Sequence, residues 1–212
     1  MIVIVDYKTA NLGSIVNIFK RIGVAARVAQ KPSELAGATH LVLPGIGHFD
    51  TCARNLRLAG FAQALQQPVL EDRIPLLGIC VGAQLLTRGS EEGQEAGLGW
   101  IDADTRRFPE LERDDYKVPH MGWNLATPTQ THPLFQGFEK TPRFYFVHSF
   151  CMHCDRPDSQ LASTEHGVSF ASAIVKDNVA GVQFHPEKSH RFGMQLLRNF
   201  AQGVQEPPGL IG

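Results

Sequence analysis

With 212 residues, 43% of them hydrophobic and 19% charged, the chain can bury one sizeable core and has the composition of a globular protein. A formal net charge of −1 lacks the basic balance of a nucleic-acid binder, and no apolar run is long enough to span a bilayer. Four cysteines do not make a disulfide scaffold at this length, and the N-terminal apolar run is too short for a secretory leader, so a reducing, cytoplasmic setting is expected.

The β-branched run Ile2-Val3-Ile4-Val5 predicts a buried parallel strand. Asn11 to Ile22 predict a helix with Leu12, Ile15, Val16, Phe19 and Ile22 on one face, closed by Gly23. Val24–Val28 read as a second strand, Pro32–Leu35 as a short helix and His40–Leu43 as a third strand. Pro44-Gly45-Ile46-Gly47-His48-Phe49 then forms a glycine loop at a strand's C-terminal end, and residues 50–72 are expected to be largely helical. A buried strand from Ile74 ends at Gly78, and a helical apolar pattern begins after Cys80. From Gly97 the texture changes to short β segments: Leu98–Asp104, Tyr116–Val118, Arg143–Phe150, Leu161–Thr164, Ser172–Lys176 and Val179–Phe184. An amphipathic helix, His190 to Ala201, turns Met194, Leu197 and Phe200 inward, and residues 204–212 read as a loosely ordered tail. Alternating strands and helices mean βαβ units. The expected architecture is α/β: a flavodoxin-like open parallel sheet with helices on both faces and an antiparallel β extension, forming one domain over residues 1–203.

Cys80 occupies the strand-to-helix corner, with Gly78 two residues before it and Gly82 two after. Glycine relieves backbone crowding at such a corner. A cysteine there is expected to project toward solvent near a helix N-terminus, which favours thiolate. The alternative is a small apolar plug in a βα turn. Val182-Gln183-Phe184-His185-Pro186-Glu187 carries a second strand into a histidine and a glutamate. Positions i and i+2 of extended chain face one side, so Glu187 can orient the His185 imidazole. Strand ends at one sheet edge converge, which brings His185 toward Cys80 as base to nucleophile. The alternative is a surface His-Pro-Glu turn.

Gly78-Ile79-Cys80-Val81-Gly82-Ala83-Gln84, taken with Val182 to Glu187, resembles the class I (triad-type) glutamine amidotransferases. Lys117-Val118-Pro119-His120-Met121-Gly122-Trp123-Asn124 and Phe144-Tyr145-Phe146-Val147-His148-Ser149 resemble, within them, the glutaminase subunits of imidazole glycerol phosphate synthase. The similarity runs from Val3 to about Phe200. It departs from the usual family residues at Val81, Ala83 and Phe150; the last lacks the hydroxyl of tyrosine. The resemblance implies a Cys80–His185–Glu187 triad acting on L-glutamine without a cofactor or metal. It implies backbone oxyanion donors from Val81 and the Ile46–Gly47 segment. It also implies a glutamine pocket of Gln84, Glu92, Gly47, His148, Ser149 and Phe150. The implied partner is a β/α-barrel cyclase subunit in a heterodimer, making imidazole glycerol phosphate for histidine biosynthesis; His120, Met121, Trp123, Asn124 and Lys188 are the expected contacts. The rivals are a paralogue supplying ammonia for sugar amidation in surface-polysaccharide synthesis, a stand-alone cysteine hydrolase, and a non-catalytic scaffold.

Two other patterns carry less. Cys151-Met152-His153-Cys154 has CxxC spacing but no second pair to complete a zinc site, and is expected to be a packed or surface turn. Gly45-Ile46-Gly47 is not followed by the lysine and hydroxyl residue of a phosphate loop. Cys52 is expected in the core.

Overall fold

The computed structural model describes residues 1–112 and 116–202; the tail expected over 204–212 lies outside them. The β-branched strand β1 (Ile2–Val5) is fully buried and pairs in parallel with β2 (Ala26–Ala29) on one side and β3 (His40–Gly45) on the other. β3 pairs in parallel with β4 (Leu76–Cys80), which pairs in turn with β12 (Val179–Val182). The sheet order β2-β1-β3-β4-β12 is that of a doubly wound open sheet.

Beyond β12 the sheet turns antiparallel. β11 (Val168–Lys176), β10 (Gln160–His166) and β7 (Thr127–Pro128) follow in that order. β9 (Phe150–Cys154) adds to β11 and pairs with β5 (Ala103–Arg107). A separate two-stranded ribbon joins β6 (His120–Leu125) to β8 (Arg143–His148). Helix α1 (Leu12–Arg21) buries Ile15, Ile18 and Phe19, and Gly23 follows at φ +75°, the left-handed stop its position suggested. Helix α5 (His190–Gln202) buries Leu196, Leu197 and Phe200, while Met194 is half-buried. No helix among the described residues is long and apolar enough to cross a membrane.

Several expected boundaries differ. Residues 50–72 divide into α2 (Phe49–Leu58), α3 (Phe61–Ala64) and a π turn at Gln67–Glu71, because Gly60 at φ +78° breaks the first helix. Leu98 to Ile101 are not a strand: the amides of Leu98, Trp100 and Ile101 fold back onto the carbonyls of Leu85 and Leu86. Tyr116–Val118 are not a strand either. The Cys151–Cys154 stretch, expected as a turn, is strand β9 with Cys151 and Met152 buried. The helix after Cys80, α4 (Val81–Gln84), is a single turn.

Candidate active site

Ligands of open α/β sheets gather beyond the C-terminal ends of the strands. There β3 delivers Gly45 beside Cys80 at the end of β4, and β12 runs into Gln183-Phe184-His185. Cys80 adopts φ +55°, ψ −116°, a region strained for a side-chain-bearing residue, so the turn from β4 into α4 is sharp. Glycine makes that turn possible. A Cβ on Gly82 would sit 1.9 Å from the Leu43 carbonyl oxygen, and one on Gly78 would sit 2.7 Å from the Gly82 oxygen. Contrary to the expectation of a solvent-facing thiol, Cys80 is 5% exposed. α4 is also too short to supply a full helix-terminus field.

The positive partner is His185. Its Nδ1 lies 2.7 Å from Glu187 Oε1, the i, i+2 arrangement anticipated from the sequence. Burial alone would depress the imidazole, but the neighbouring Cys80 sulfur and the Glu187 carboxylate outweigh it and raise the pKa to about 10. The turn carrying the pair is tied down on both sides. The His185 amide donates to the Tyr145 carbonyl (2.9 Å), and Ser189 Oγ donates to the His185 carbonyl (2.6 Å) while accepting from the Tyr145 amide (3.0 Å). Gly193 lets α5 lie against Pro186, where any Cβ would strike the Pro186 oxygen at 1.8 Å.

The glycine loop after β3 packs directly on α4: a Cβ on Gly45 would meet the Gly82 nitrogen at 2.7 Å. The candidate oxyanion amides, Val81 on one side and Ile46 and Gly47 on the other, therefore sit on backbone segments in contact through glycines. In this conformation the Ile46 N–H is engaged, donating to the Thr9 carbonyl at 2.7 Å. The loop is held further by Tyr7 Oη donating to the Pro44 carbonyl (2.6 Å) and Cys52 Sγ donating to the Ile46 carbonyl (3.3 Å). Gly47 stands at φ +92°. Cys52 is in the core as expected, but its thiol grips this loop.

The candidate glutamine-binding residues surround the same corner. Gln84, 3% exposed, donates through Nε2 to the Phe150 carbonyl (3.3 Å) and to Gln183 Oε1 (3.1 Å). Glu92 Oε2 accepts from the Phe49 amide at 2.8 Å, beside the glycine loop. His148, Ser149 and Phe150 span the break between β8 and β9, with His148 buried and the other two half-buried. Sequence reasoning missed Gln183, whose Nε2 lies 3.9 Å from Cys80 Sγ. Its signal was available: a polar residue sharing a strand face with His185.

The candidate docking residues lie on β6 and the turn before α5. Met121, Trp123 and Leu125 alternate outward at 61%, 43% and 51% exposure. The Trp123 ring stacks on His190 (5.5 Å, 9°) with the Arg143 guanidinium 5.6 Å from it. Lys188 is exposed, with Nζ 5.9 Å from the Tyr145 ring. His120 is buried and Asn124 half-buried, so these two face inward rather than toward a partner. No metal-binding cluster occurs among the described residues.

A strained cysteine at a β-strand-to-helix turn, faced by a carboxylate-held histidine, on this sheet order, matches a known class. The chain belongs to the class-I glutamine amidotransferase family, whose model matches residues 3–204. It is similar to the imidazole glycerol phosphate synthase subunit HisH 2 of Pseudomonas aeruginosa, with 47% identity over 204 residues, 96% of this chain and 100% of that one. It is similar too to the subunit HisH of Bdellovibrio bacteriovorus, 47% identical over 205 residues, 95% and 100% of the two chains. Among solved structures, PurLQS from Thermotoga maritima shares the fold, with a TM-score of 0.74, 15% identity, and 95% of this chain and 97% of that one covered.

Proposed function

We propose that this chain is the glutaminase subunit of an imidazole glycerol phosphate synthase, hydrolysing L-glutamine to glutamate and ammonia and handing the ammonia to a β/α-barrel cyclase partner. Residues 1–203 act as one amidotransferase unit. The observation that carries the reading is His185, held by Glu187 at 2.7 Å and raised by Cys80 beside it. A thiol and an imidazole coupled in this way share one proton as thiolate and imidazolium.

The Cys80 sulfur attacks the side-chain amide carbon of glutamine. The C–N bond then breaks as His185 gives its proton to the departing nitrogen, releasing ammonia and leaving a thioester on Cys80. His185, now neutral, takes a proton from water; hydroxide adds to the thioester, and glutamate leaves with the thiolate restored. Glu187 keeps the imidazole in one orientation throughout. The tetrahedral oxyanion of each step needs the Val81 amide and one amide of Ile46–Gly47. Gln84, Glu92, Gly47 and the His148–Phe150 segment hold the substrate, the Glu92 carboxylate suiting its α-ammonium group.

The partner seats on the outward face of β6, with Trp123 as the aromatic anchor, Met121 beside it and Lys188 as the charged contact. The test is ammonia release by the chain with its cyclase partner. Cys80→Ala should abolish glutamine-dependent synthesis and leave synthesis from added ammonium salt intact. Loss of both would make Cys80 a structural residue.

A further inference from the structure

Behind the proposed substrate pocket, Asn124, His120 and His148 form a directional hydrogen-bond chain that ends on the Phe150 carbonyl. His148 Nδ1 lies 2.7 Å from the Phe150 carbonyl, which can only accept, so Nδ1 carries the proton. His148 Nε2 lies 3.0 Å from His120 Nδ1. Burial, with secondary contributions from nearby histidines, lowers His148 to about 3, and burial with His166 nearby lowers His120 to about 4. Both rings are therefore neutral at physiological pH. With its proton on Nδ1, His148 offers a bare Nε2, and His120 must donate to it from Nδ1. His120 Nε2 is then bare and accepts from Asn124 Nδ2 at 3.1 Å. The other Asn124 N–H donates to the Glu165 carbonyl (2.8 Å), and Asn124 Oδ1 accepts from the Leu125 amide (2.8 Å). Every donor and acceptor has one role. At the far end, the Phe150 carbonyl also receives Gln84 Nε2, which reaches Gln183 and, through it, Cys80. The chain starts on the strand whose other face carries Met121, Trp123 and Leu125, and ends under the nucleophile.

We propose that His120 is a positioning residue for glutamine binding: donating to His148, it fixes the Phe150 carbonyl and the Gln84 amide in one orientation and ties the substrate pocket to the seating of β6. Packing already holds the ring, which stacks on Phe146 (4.7 Å) and His166 (4.1 Å). The imidazole is thus locked in position by aromatic neighbours and locked in tautomer by its two hydrogen bonds. The proposal rests on the glutaminase reading, because it takes the Phe150–Gln84 contact as part of the glutamine pocket.

The first test needs no turnover. Nitrogen NMR of the histidine rings in the full chain should find both His120 and His148 neutral with the proton on Nδ1, the minor form of free histidine. A proton on Nε2 of either ring at neutral pH overturns the chain. The second test is kinetic, in the complex with the cyclase partner. His120→Phe keeps the stacking and removes both hydrogen bonds; KM for glutamine should rise about fivefold to tenfold with kcat little changed, the scale of one lost orienting hydrogen bond. An unchanged KM refutes the proposal. Asn124→Asp guards against a variant that merely fails to fold. Aspartate cannot donate, so His120 must place a proton on Nε2 and can keep donating to His148 only as an imidazolium. KM should then climb with rising pH as that imidazolium loses its proton, while the parent enzyme shows no such climb. A pH-independent KM in Asn124→Asp means Asn124 is only packing. If the parent complex releases no ammonia from glutamine, the glutaminase reading fails, and the ring tautomers still decide whether the chain exists.

Discussion

Replacing Gly82 with alanine tests whether glycine contact sets the oxyanion geometry. The added Cβ would lie 1.9 Å from the Leu43 oxygen and 2.8 Å from its carbonyl carbon, both backbone atoms that no rotamer change can move aside. Real contacts stay beyond 3.0 Å, so α4 and β3 must separate by about 1 Å. Overpacking of this kind costs about 1–3 kcal/mol. At roughly 2–4 °C per kcal/mol for a chain of this size, Tm should fall by about 2–12 °C. The functional effect should be larger. Val81 is the residue before Gly82, and a displacement near 1 Å at a catalytic group costs on the order of 10² in rate. The assay is steady-state glutaminase activity of the complex, with thermal unfolding of the same sample. Gly23→Ala is the control: Gly23 has φ +75° and open space around it, so alanine there brings only backbone strain of about 1–2 kcal/mol. It should lower Tm with kcat intact. If Gly82→Ala also lowers Tm but keeps kcat within about twofold, a scale far short of a misplaced catalytic group, the glycine contact does not position the Val81 amide and the argument fails.

Other outcomes follow from the same geometry. Because the Ile46 N–H is engaged by Thr9, the chain alone should turn over glutamine slowly. Partner plus acceptor ligand should raise kcat by about 10²–10³ at nearly constant KM, the value of one oxyanion donor; equal turnover in all states refutes a loop switch. His185 is raised to about 10, against about 6.5 in the unfolded chain. In the proposed pair one proton sits on His185, as one sits on the Cys80 thiol of the unfolded chain up to about pH 8.5. The pair's stabilisation is therefore level from about pH 6.5 to 8.5 and is lost as pH rises from about 8.5 toward 10. Thermal unfolding across that window should show a loss that Glu187→Gln reduces; parallel curves for the two proteins would contradict it. Trp123→Ala removes the ring held between His190 and Arg143, and should weaken partner binding tenfold or more on the scale of about 1.4 kcal/mol. Calorimetric titration of Trp123→Ala and Lys188→Ala, both binding like the parent, would remove β6 from the interface.

What the sequence made legible was what local pattern encodes. Ile2–Val5 and the α1 face were readable because burial follows the residue period. His185 and Glu187 were readable because two positions along one strand face the same way. β6 was not: its outward residues are Met121, Trp123 and Leu125, so the apolar side faces away from the core and the alternation is inverted. β9 was hidden behind a CxxC spacing, and the segment at Leu98 by carbonyls supplied from the turns after α4. The engagement of Ile46 by Thr9 was unreadable in principle, since the acceptor is a backbone carbonyl 37 positions away. The inward orientation of His120 likewise comes from its register opposite His148 on β8, a tertiary fact.

The four thiols have unequal chemistry, and that has a practical consequence. Burial raises Cys52, and raises Cys151 and Cys154 to about 12, so all three stay protonated at neutral pH. Cys80 alone has an imidazolium at its side. An electrophile small enough to enter should therefore modify one sulfur per folded molecule. The number of adducts counts the molecules whose Cys80–His185 corner is assembled, in a preparation whose other cysteines need not be removed. It also means that oxidative inactivation should run through a single site and should slow when glutamine occupies it.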